Sequence, residues 1–203
     1  MKTAKLTSPL KYHSPLRESQ TQATRERITQ AAVEFFNKTG GQEELTYKAV
    51  AKEAGVTEMT VYRHFPKRED LMQALWTTVN SRIGVKMPET LAALIEGNQR
   101  LFQGFENLGP LMRASIMSKQ GREIRVSLNS KREKAFLSVV DEINPKLSRK
   151  KKRQIEAVLS LLQSSYTWDS MRTYWDLNPK EIAEAVRLTI DSLIKTAKQQ
   201  ENL

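Results

Sequence analysis

Cysteine is absent from the 203 residues, and histidine occurs only twice. Without cysteine the chain has no disulfide, no thiol nucleophile and no cysteine-based zinc site, so its fold does not depend on an oxidising compartment. The two histidines, His13 and His64, are too few to build a histidine metal cluster, and they give no support for a Ser-His-Asp triad. The sequence therefore predicts no enzyme, no metal site and no cofactor.

Long apolar runs are also missing. The longest uncharged stretch lies between Glu156 and Asp169, and serines and a glutamine interrupt it. It is too short and too polar to span a bilayer, which needs ~20 mostly apolar residues. The N-terminal segment MKTAKLTSPLKYHSPL has lysines but lacks the apolar core of a signal peptide. We therefore expect a soluble cytoplasmic protein with no membrane partner.

Basic residues dominate the charged ones. Lys and Arg number 33 against 23 Asp and Glu, which gives a formal net charge of +10. Such an excess favours an anionic partner, either nucleic acid or an acidic small molecule. Most of it lies after residue 76, and the run RKKKR at 149–153 opens a predicted helix. That run fits a solvated basic face, an acidic ligand, an acidic partner or a secondary DNA contact.

The rest of the pattern is helical, and no segment alternates as a strand would. Residues 1–21, rich in Lys, Ser, Thr and Pro, are predicted to form a flexible basic tail. Glycine, proline and capping residues then divide the chain into predicted helices. These cover about 22–38, 46–54, 57–64, a helix opened by Pro66, 89–106, 110–120, 123–143, 148–176 and 179–198.

The informative segment is LTYKAVAKEAGVTEMTVYRHF, residues 45–65. Thr46 and Thr57 can each cap a short helix through a side-chain oxygen, and Gly55 permits the tight turn between the two helices. Ala51 and Ala54 are small enough to let the helices approach closely. This is the arrangement of a helix-turn-helix, whose second helix lies in the major groove of DNA.

The same segment resembles the tetracycline-repressor (TetR/AcrR) family of bacterial transcription regulators. The likeness covers about residues 22–76. The residues that occupy matching places are Thr46, Ala51, Gly55, Val56, Thr60, Tyr62, His64, Phe65, Arg68 and Glu69. The family usually has lysine where this chain has Arg68, and the exchange keeps the positive charge. The resemblance implies an all-α fold with an N-terminal helix-turn-helix domain at 22–76 and a C-terminal helical ligand-binding and dimerisation domain at 77–203.

The resemblance also implies which residues contact DNA. Thr46 and Tyr62 would bind phosphates, and His64 would lie near the DNA backbone. The residues that would face base edges are Lys48, Glu58, Met59 and Thr60. Lys48 can donate to guanine, and Glu58 can accept from cytosine or pair with Lys48. The full predicted set is Thr46, Tyr47, Lys48, Thr57, Glu58, Met59, Thr60, Tyr62, His64, Lys67 and Arg68.

Taken alone, several of these residues have ordinary structural explanations. Tyr62 and Phe65 would more often be core aromatics, and His64 a surface histidine. Arg25 and Arg27 fit either a helix surface or phosphate contacts. The lysines and arginine of the tail fit disorder or an arm on the DNA.

The second domain is predicted from its apolar residues. A pocket for a small-molecule effector of unknown identity would be lined by Leu101, Phe102, Phe105, Leu108, Met112, Ile116, Phe136, Val140, Leu162 and Tyr166. The last two helices would pair with those of a second subunit, through Ile182, Val186, Ile190 and Leu193. The twofold symmetry of such a homodimer would make it read a palindromic operator in double-stranded DNA.

Two functions fit this sequence. The first is a dimeric transcription regulator, a repressor that a small-molecule ligand releases from its operator. The second keeps the fold but removes the ligand, leaving a DNA-binding adaptor that recruits a protein partner or organises the nucleoid. A closed apolar cavity would favour the first, and a filled core with an exposed apolar patch the second.

Overall fold

The computed structural model describes residues 15–199 of the chain. Over that range it contains eleven α-helices and no strand, so the predicted all-α class is confirmed. The helices are α1 (Pro15–Lys38), α2 (Tyr47–Ala54), α3 (Glu58–His64), α4 (Arg68–Ile83), α5 (Leu91–Asn107), α6 (Gly109–Met117), α7 (Lys119–Ser127), α8 (Asn129–Ile143), α9 (Arg149–Leu162), α10 (Ser165–Trp175) and α11 (Pro179–Gln199). None of these helices is long and apolar enough to cross a membrane.

The first four helices form one unit around a small core. Helix α1 packs against α2 and α4, and α2 packs against α3. Their shared interior contains Ile28, Phe36, Val50, Val61 and Leu75, all fully buried. Burial of such side chains is the main force that holds short helices in place, since a helix of seven or eight residues is unstable alone.

The N-terminal boundary of α1 differs from the sequence prediction. The helix begins at Pro15, so the predicted tail at 1–21 is wrong for residues 15–21, and residues 1–14 lie outside the described part. Proline is well suited to the first position of a helix, because its missing N–H would have no partner there. Residues 15–23 are all exposed. They carry no apolar stripe, which is why periodicity did not reveal their helix.

The second group of helices is built around α5. This helix packs against α11 along most of its length and also contacts α8 and α10. The core between them includes Leu94, Phe102, Trp168 and Ile182. A polar link crosses the same interior: the buried Asn98 amide donates to the Ala183 carbonyl at 2.8 Å.

Two long predicted helices are broken in the structure. The predicted helix at 123–143 is divided at Leu128 into α7 and α8. The predicted helix at 148–176 ends at Leu162, and Ser164 caps a new helix by accepting from the Thr167 N–H at 3.3 Å. Serine is a common N-cap residue. Here it starts a new helix within a stretch whose apolar periodicity predicts one continuous helix.

The two groups meet where glycine allows close contact. A side chain at Gly104 of α5 would meet the Ile83 carbonyl of α4 at 2.5 Å, and one at Gly41 would meet the Ala114 carbonyl of α6 at 2.9 Å. Helix α4 itself continues through residue 76, the predicted domain boundary, and ends at Ile83. The division of the chain at that residue therefore stays a prediction.

Candidate nucleic-acid interface and ligand cavity

Helix α3 presents an unusual face to solvent. Val61 is fully buried and fixes the helix to the core, whereas Met59 is 75% exposed and Tyr62 is 49% exposed. Glu58 and Arg63 share the exposed side with them. Large apolar or aromatic side chains held in solvent on a short, firmly seated helix are available to a binding partner.

Local capping sets the orientation of this helix. The Thr46 hydroxyl accepts from the Ala49 N–H at 3.1 Å and starts α2, and Gly55 ends it with a φ of 63°. The Thr57 hydroxyl then accepts from the Thr60 N–H at 3.2 Å and starts α3. A left-handed φ strongly favours glycine, so the turn between the helices is set by residue 55. The predicted helix-turn-helix is present.

The prediction that Tyr47 contacts DNA requires an exposed side chain, but Tyr47 is buried. Its ring is buried, and its hydroxyl donates to the Phe65 carbonyl at 2.5 Å. Its ring also lies edge-on to Tyr62, with 4.4 Å between centroids, and burial raises the pKa of Tyr47. The predicted contact of Tyr47 with DNA is therefore wrong, because the hydroxyl already ties α2 to the end of α3.

The end of α3 is held by an arginine from α1. The Arg25 guanidinium donates to the His64 carbonyl and lies over the Phe65 ring, 4.0 Å from its centroid. His64 is half-buried, and burial, together with the positive charges of Arg63 and Arg25, lowers its pKa. The lowered pKa favours the neutral form of His64 in the absence of DNA, and a nearby phosphate would raise that pKa again.

The remaining predicted DNA residues lie on or near the same face. Two of the half-buried ones have partners within the chain: the Thr60 hydroxyl is 2.9 Å from that of Thr57, and Arg68 pairs with Glu44 at 3.2 Å. Glu58 forms no ion pair with Lys48 among the described residues. The predicted residues that are exposed are Thr46, Lys48, Thr57, Glu58, Met59, Tyr62 and Lys67.

Sequence reasoning missed Arg63. This residue is exposed on α3, one helical turn after Met59, and no described residue pairs with it. The i, i+4 spacing from Met59 could have revealed it, since residues four apart share a helix face. Arg63 brings to the exposed face of α3 a positive charge that the predicted set did not contain.

A large cavity lies among the C-terminal helices. Its volume is about 1630 Å³, and residues from the end of α4 to the start of α10 line it. Of the ten predicted pocket residues, five line it: Leu101, Phe105, Met112, Phe136 and Tyr166. The other five do not, since their positions turn toward the packed core or away from the cavity: Phe102, Leu108, Ile116, Val140 and Leu162.

Charged residues contribute to this lining more than the sequence suggested. Three residues of the basic run, Arg149, Lys152 and Arg153, reach it, and Lys152 pairs with Asp141 at 2.6 Å. Glu156 also lines it, and burial, with the nearby negative charges of Glu133 and Asp141, raises its pKa. Part of the basic run therefore lies beside the cavity, while Lys150 and Lys151 do not line it and are exposed to solvent.

The predicted dimer residues are mostly inaccessible. Ile182, Val186 and Ile190 are fully buried within the single chain, where α11 packs against α5, and Leu193 is half-buried. Because the apolar face of the first three is already covered within the chain, the dimer interface through these residues stays a prediction. The part of the chain that the structure describes also contains no group of three or more His, Asp or Glu side chains suited to a metal ion.

Together the capped turn and the exposed face of α3 define a helix-turn-helix DNA-binding domain. Residues 28–75 match the family described as bacterial regulatory proteins, tetR family. This segment of the chain, from α1 to α4, is therefore similar to that family.

Two curated proteins are similar to part of this chain. The nucleoid occlusion factor SlmA of Photobacterium profundum is 30% identical over 67 residues, which is 33% of this chain and 34% of that protein. The nucleoid occlusion factor SlmA of Vibrio campbellii is 37% identical over 51 residues, 25% of this chain and 26% of that protein. The chain thus spans at most about a third of the curated relatives that it matches.

Two solved structures have a similar fold over most of this chain. One is a transcriptional regulator of the TerR/AcrR family from Aquifex aeolicus VF5, with a TM-score of 0.53, 14% identity, and coverage of 84% of this chain and 99% of that one. The other is a tetR-family transcriptional regulator from Streptomyces coelicolor, with a TM-score of 0.50, 16% identity, and coverage of 88% of each chain. The likeness extends the shared fold beyond the matched domain.

Proposed function

We propose that this protein is a dimeric, sequence-specific transcription regulator, a repressor that a small-molecule ligand releases from a palindromic operator. The observation that carries the proposal is the exposed face of α3, which presents Met59, Tyr62 and Arg63 to solvent. The helix itself is capped at its N-terminus by Thr57 and is anchored in the core by the buried Val61. An arginine can donate two hydrogen bonds to guanine, and an exposed tyrosine hydroxyl can bind a phosphate. Lys48 and Lys67 flank this face and supply further positive charge.

The proposal needs an interface between two copies, and α11 offers one beside its buried side. An uncharged stripe at helical spacing lies there, between the buried residues and the charged residues of the helix: Ala185, Leu188, Thr189, Ser192 and Thr196. Leu188 is 71% exposed there, and Tyr174 and Trp175 at the end of α10 are also exposed. Apolar surface of this kind on paired helices supports a symmetric contact, and it replaces the interface predicted from the buried residues.

A route from the cavity to the DNA interface supports control by a ligand. Trp76 of α4 lines the cavity, and its ring lies edge-on to Phe36 of α1, with 5.9 Å between centroids. Helix α1 in turn holds the end of α3 through Arg25. A ligand that binds one arrangement of α4 more tightly would thereby shift the position of α3, and DNA would shift ligand affinity by the same factor.

The first test is selection of bound fragments from a random duplex library by the purified protein, at ~150 mM salt. A palindromic motif is expected. Arg63→Ala should then weaken binding to that motif, whereas Arg100→Ala, an exposed arginine on α5, should leave it unchanged. Binding without any enriched motif would overturn the proposed sequence-specific regulator.

A second candidate is a DNA-binding adaptor without a ligand, which the partial likeness to nucleoid occlusion factors favours. It predicts that binding to the selected motif is unaffected by any compound that occupies the cavity. It also predicts that variants of the exposed apolar residues Tyr174 and Trp175 lose a protein partner while keeping the dimer. A compound that both binds the cavity and releases the motif would exclude this candidate.

A further inference from the structure

Two arginines in the cavity have no carboxylate partner. Arg125 of α7 and Arg132 of α8 both line it, and neither forms an ion pair with any described residue. By contrast, the half-buried Arg172 of α10 is paired with both Glu106 and Asp176. Partial removal of a guanidinium from water without a counter-charge is unfavourable. An anion bound in this region of the cavity would therefore be stabilised by the two arginines.

Arg132 is the less satisfied of the two. It is half-buried, and the acceptor for its guanidinium among the described residues is the Asn129 side chain, at 3.2 Å. Burial lowers its pKa, and the positive charge of Arg125 lowers it further, with no carboxylate acting in the opposite direction. Since a guanidinium has five N–H donors, most of those of Arg132 lack a protein acceptor.

Arg125 is held in a fixed orientation. Its guanidinium donates to the carbonyls of Ser115 and Ile116 at the end of α6, the second at 3.4 Å. It also lies over the Tyr166 ring, 5.1 Å from the centroid. These contacts hold a second positive charge close to Arg132, which is an arrangement that suits the binding of an anion.

The acidic residues of the cavity form no ion pair with either arginine. Asp141 pairs with Lys152 at 2.6 Å, and Glu156 is influenced by Glu133 and Asp141 and by the basic Lys152 and Arg153. Glu133 is adjacent to Arg132 in the chain and also lines the cavity, but no ion pair joins the two among the described residues. The cavity wall also contains apolar side chains, including Leu101, Phe105, Met112 and Phe136.

We propose that the cavity binds an amphipathic organic anion, with Arg125 and Arg132 holding its acidic head group and the apolar wall covering its body. A planar guanidinium matches a carboxylate with two parallel hydrogen bonds, which gives orientation as well as affinity. A neutral or cationic compound of the same shape would leave the two arginines unpaired. The inference rests on the proposed function, because it names the chemical class of the effector.

The test is isothermal titration calorimetry of the full chain with three probes that share one alkyl chain: decanoate, 1-decanol and decyltrimethylammonium. Each is used well below the concentration at which it forms micelles. Decanoate should bind about tenfold or more tightly than decanol, as expected for a charge-assisted hydrogen bond, and decyltrimethylammonium should bind most weakly. Equal binding of decanoate and decanol would overturn the inference.

A variant pair locates the binding site. Arg132→Gln should remove the preference for decanoate over decanol, and Arg132→Lys should keep part of it, because lysine retains the charge but not the planar fork. Arg122→Gln, an exposed arginine on α7 that does not line the cavity, should behave as the original chain. Retained preference in Arg132→Gln would overturn the assignment. Should Arg132→Gln not fold, an undiminished preference for decanoate in Arg132→Lys would overturn it instead.

The calorimetry contains no DNA, so it separates this inference from the proposed function. Binding of decanoate that depends on Arg132, in a chain that selects no DNA motif, would support the anion site and overturn the regulator. A palindromic motif selected by a chain that shows no preference for decanoate would support the regulator and overturn the anion site.

Discussion

At the residue scale, the two tyrosines of the helix-turn-helix have opposite roles although their rings touch. Tyr47 is buried and uses its hydroxyl within the chain, whereas Tyr62 is half exposed and has no hydrogen-bond partner among the described residues. Composition and spacing could not separate them, because the difference depends on the Phe65 carbonyl reaching Tyr47 from 18 residues away. One hydroxyl therefore stabilises the domain and the other is available to DNA.

Removing each hydroxyl should affect a different property. Tyr47→Phe leaves the buried Phe65 carbonyl without its donor and should lower the free energy of unfolding by about 1–2 kcal/mol. Tyr62→Phe should change stability by less than ~0.5 kcal/mol and weaken binding to all DNA sequences alike, as loss of a phosphate contact does. Urea unfolding and a DNA-binding titration measure the two effects. Equal stability loss in both variants would contradict the assignment.

His64 gives the domain a dependence on pH. Its pKa in the folded chain is below the usual value of 6.5, so the unfolded chain binds more protons at mildly acidic pH. Stability should therefore be complete above about pH 6.5 and decrease as the pH falls toward the lowered pKa of the folded state, by at most ~1.4 kcal/mol per pH unit. Urea unfolding at several pH values between about 7 and 5.5 measures this slope. His64→Gln should flatten the slope in this range, and an unchanged slope would mean that other groups cause it.

At the element scale, the sequence predicted the helices whose ends are marked locally and missed an end signal that lies within strong periodicity. Thr46, Gly55 and Thr57 mark α2 and α3 through adjacent backbone groups, and both helices were located correctly. The break at Ser164 was missed, because the residues on both sides of it have strong helical periodicity. Ser164 caps α10 by accepting from the Thr167 N–H, a local signal that the strong periodicity masked.

Alanine substitutions at two glycines should lower the stability by different amounts, because one glycine is required by its backbone conformation and the other by close packing. At Gly55 a side chain would meet nothing within 4 Å, so Gly55→Ala should cost about 1 kcal/mol, from the left-handed φ alone. At Gly104 the added methyl would meet the backbone of Ile83, so Gly104→Ala should cost about 2–3 kcal/mol and displace α4 from α5. Thermal and urea unfolding give both values. A smaller cost at Gly104 than at Gly55 would contradict the close contact between the two groups of helices.

At the scale of the whole molecule, α11 carries a buried apolar stripe, a weaker uncharged stripe around Leu188 beside it, and charged residues on the rest of its surface. Periodicity identified the stronger stripe, with Ile182, Val186 and Ile190, and assigned it to a second subunit. The structure uses that stripe within the chain, against α5. A sequence shows that a face will be buried but not which partner buries it. The weaker stripe around Leu188 is the one left for another copy.

Substitutions on the two sides of α11 should therefore have different outcomes. Leu188→Asp places a charge in the proposed contact between copies and should give folded monomers. The free energy of unfolding of the single chain, measured at low protein concentration, should change little. Ile190→Asp buries an unpaired charge against α5 and should destabilise the chain by several kcal/mol, so that little folded protein remains. Sedimentation equilibrium and circular dichroism together measure mass and folding.

Lys198→Glu, on a charged part of α11, is the control and should remain a dimer at every concentration at which the original chain does. Monomers from Leu188→Asp should also bind a single half-site with far lower affinity than the dimer binds the palindrome, because two linked α3 helices bind as one unit. A dimer that survives Leu188→Asp would place the interface outside the stripe. The exposed aromatic residues Tyr174 and Trp175 at the end of α10 would then be the next surface to substitute, since they are the largest apolar side chains left uncovered beside α11.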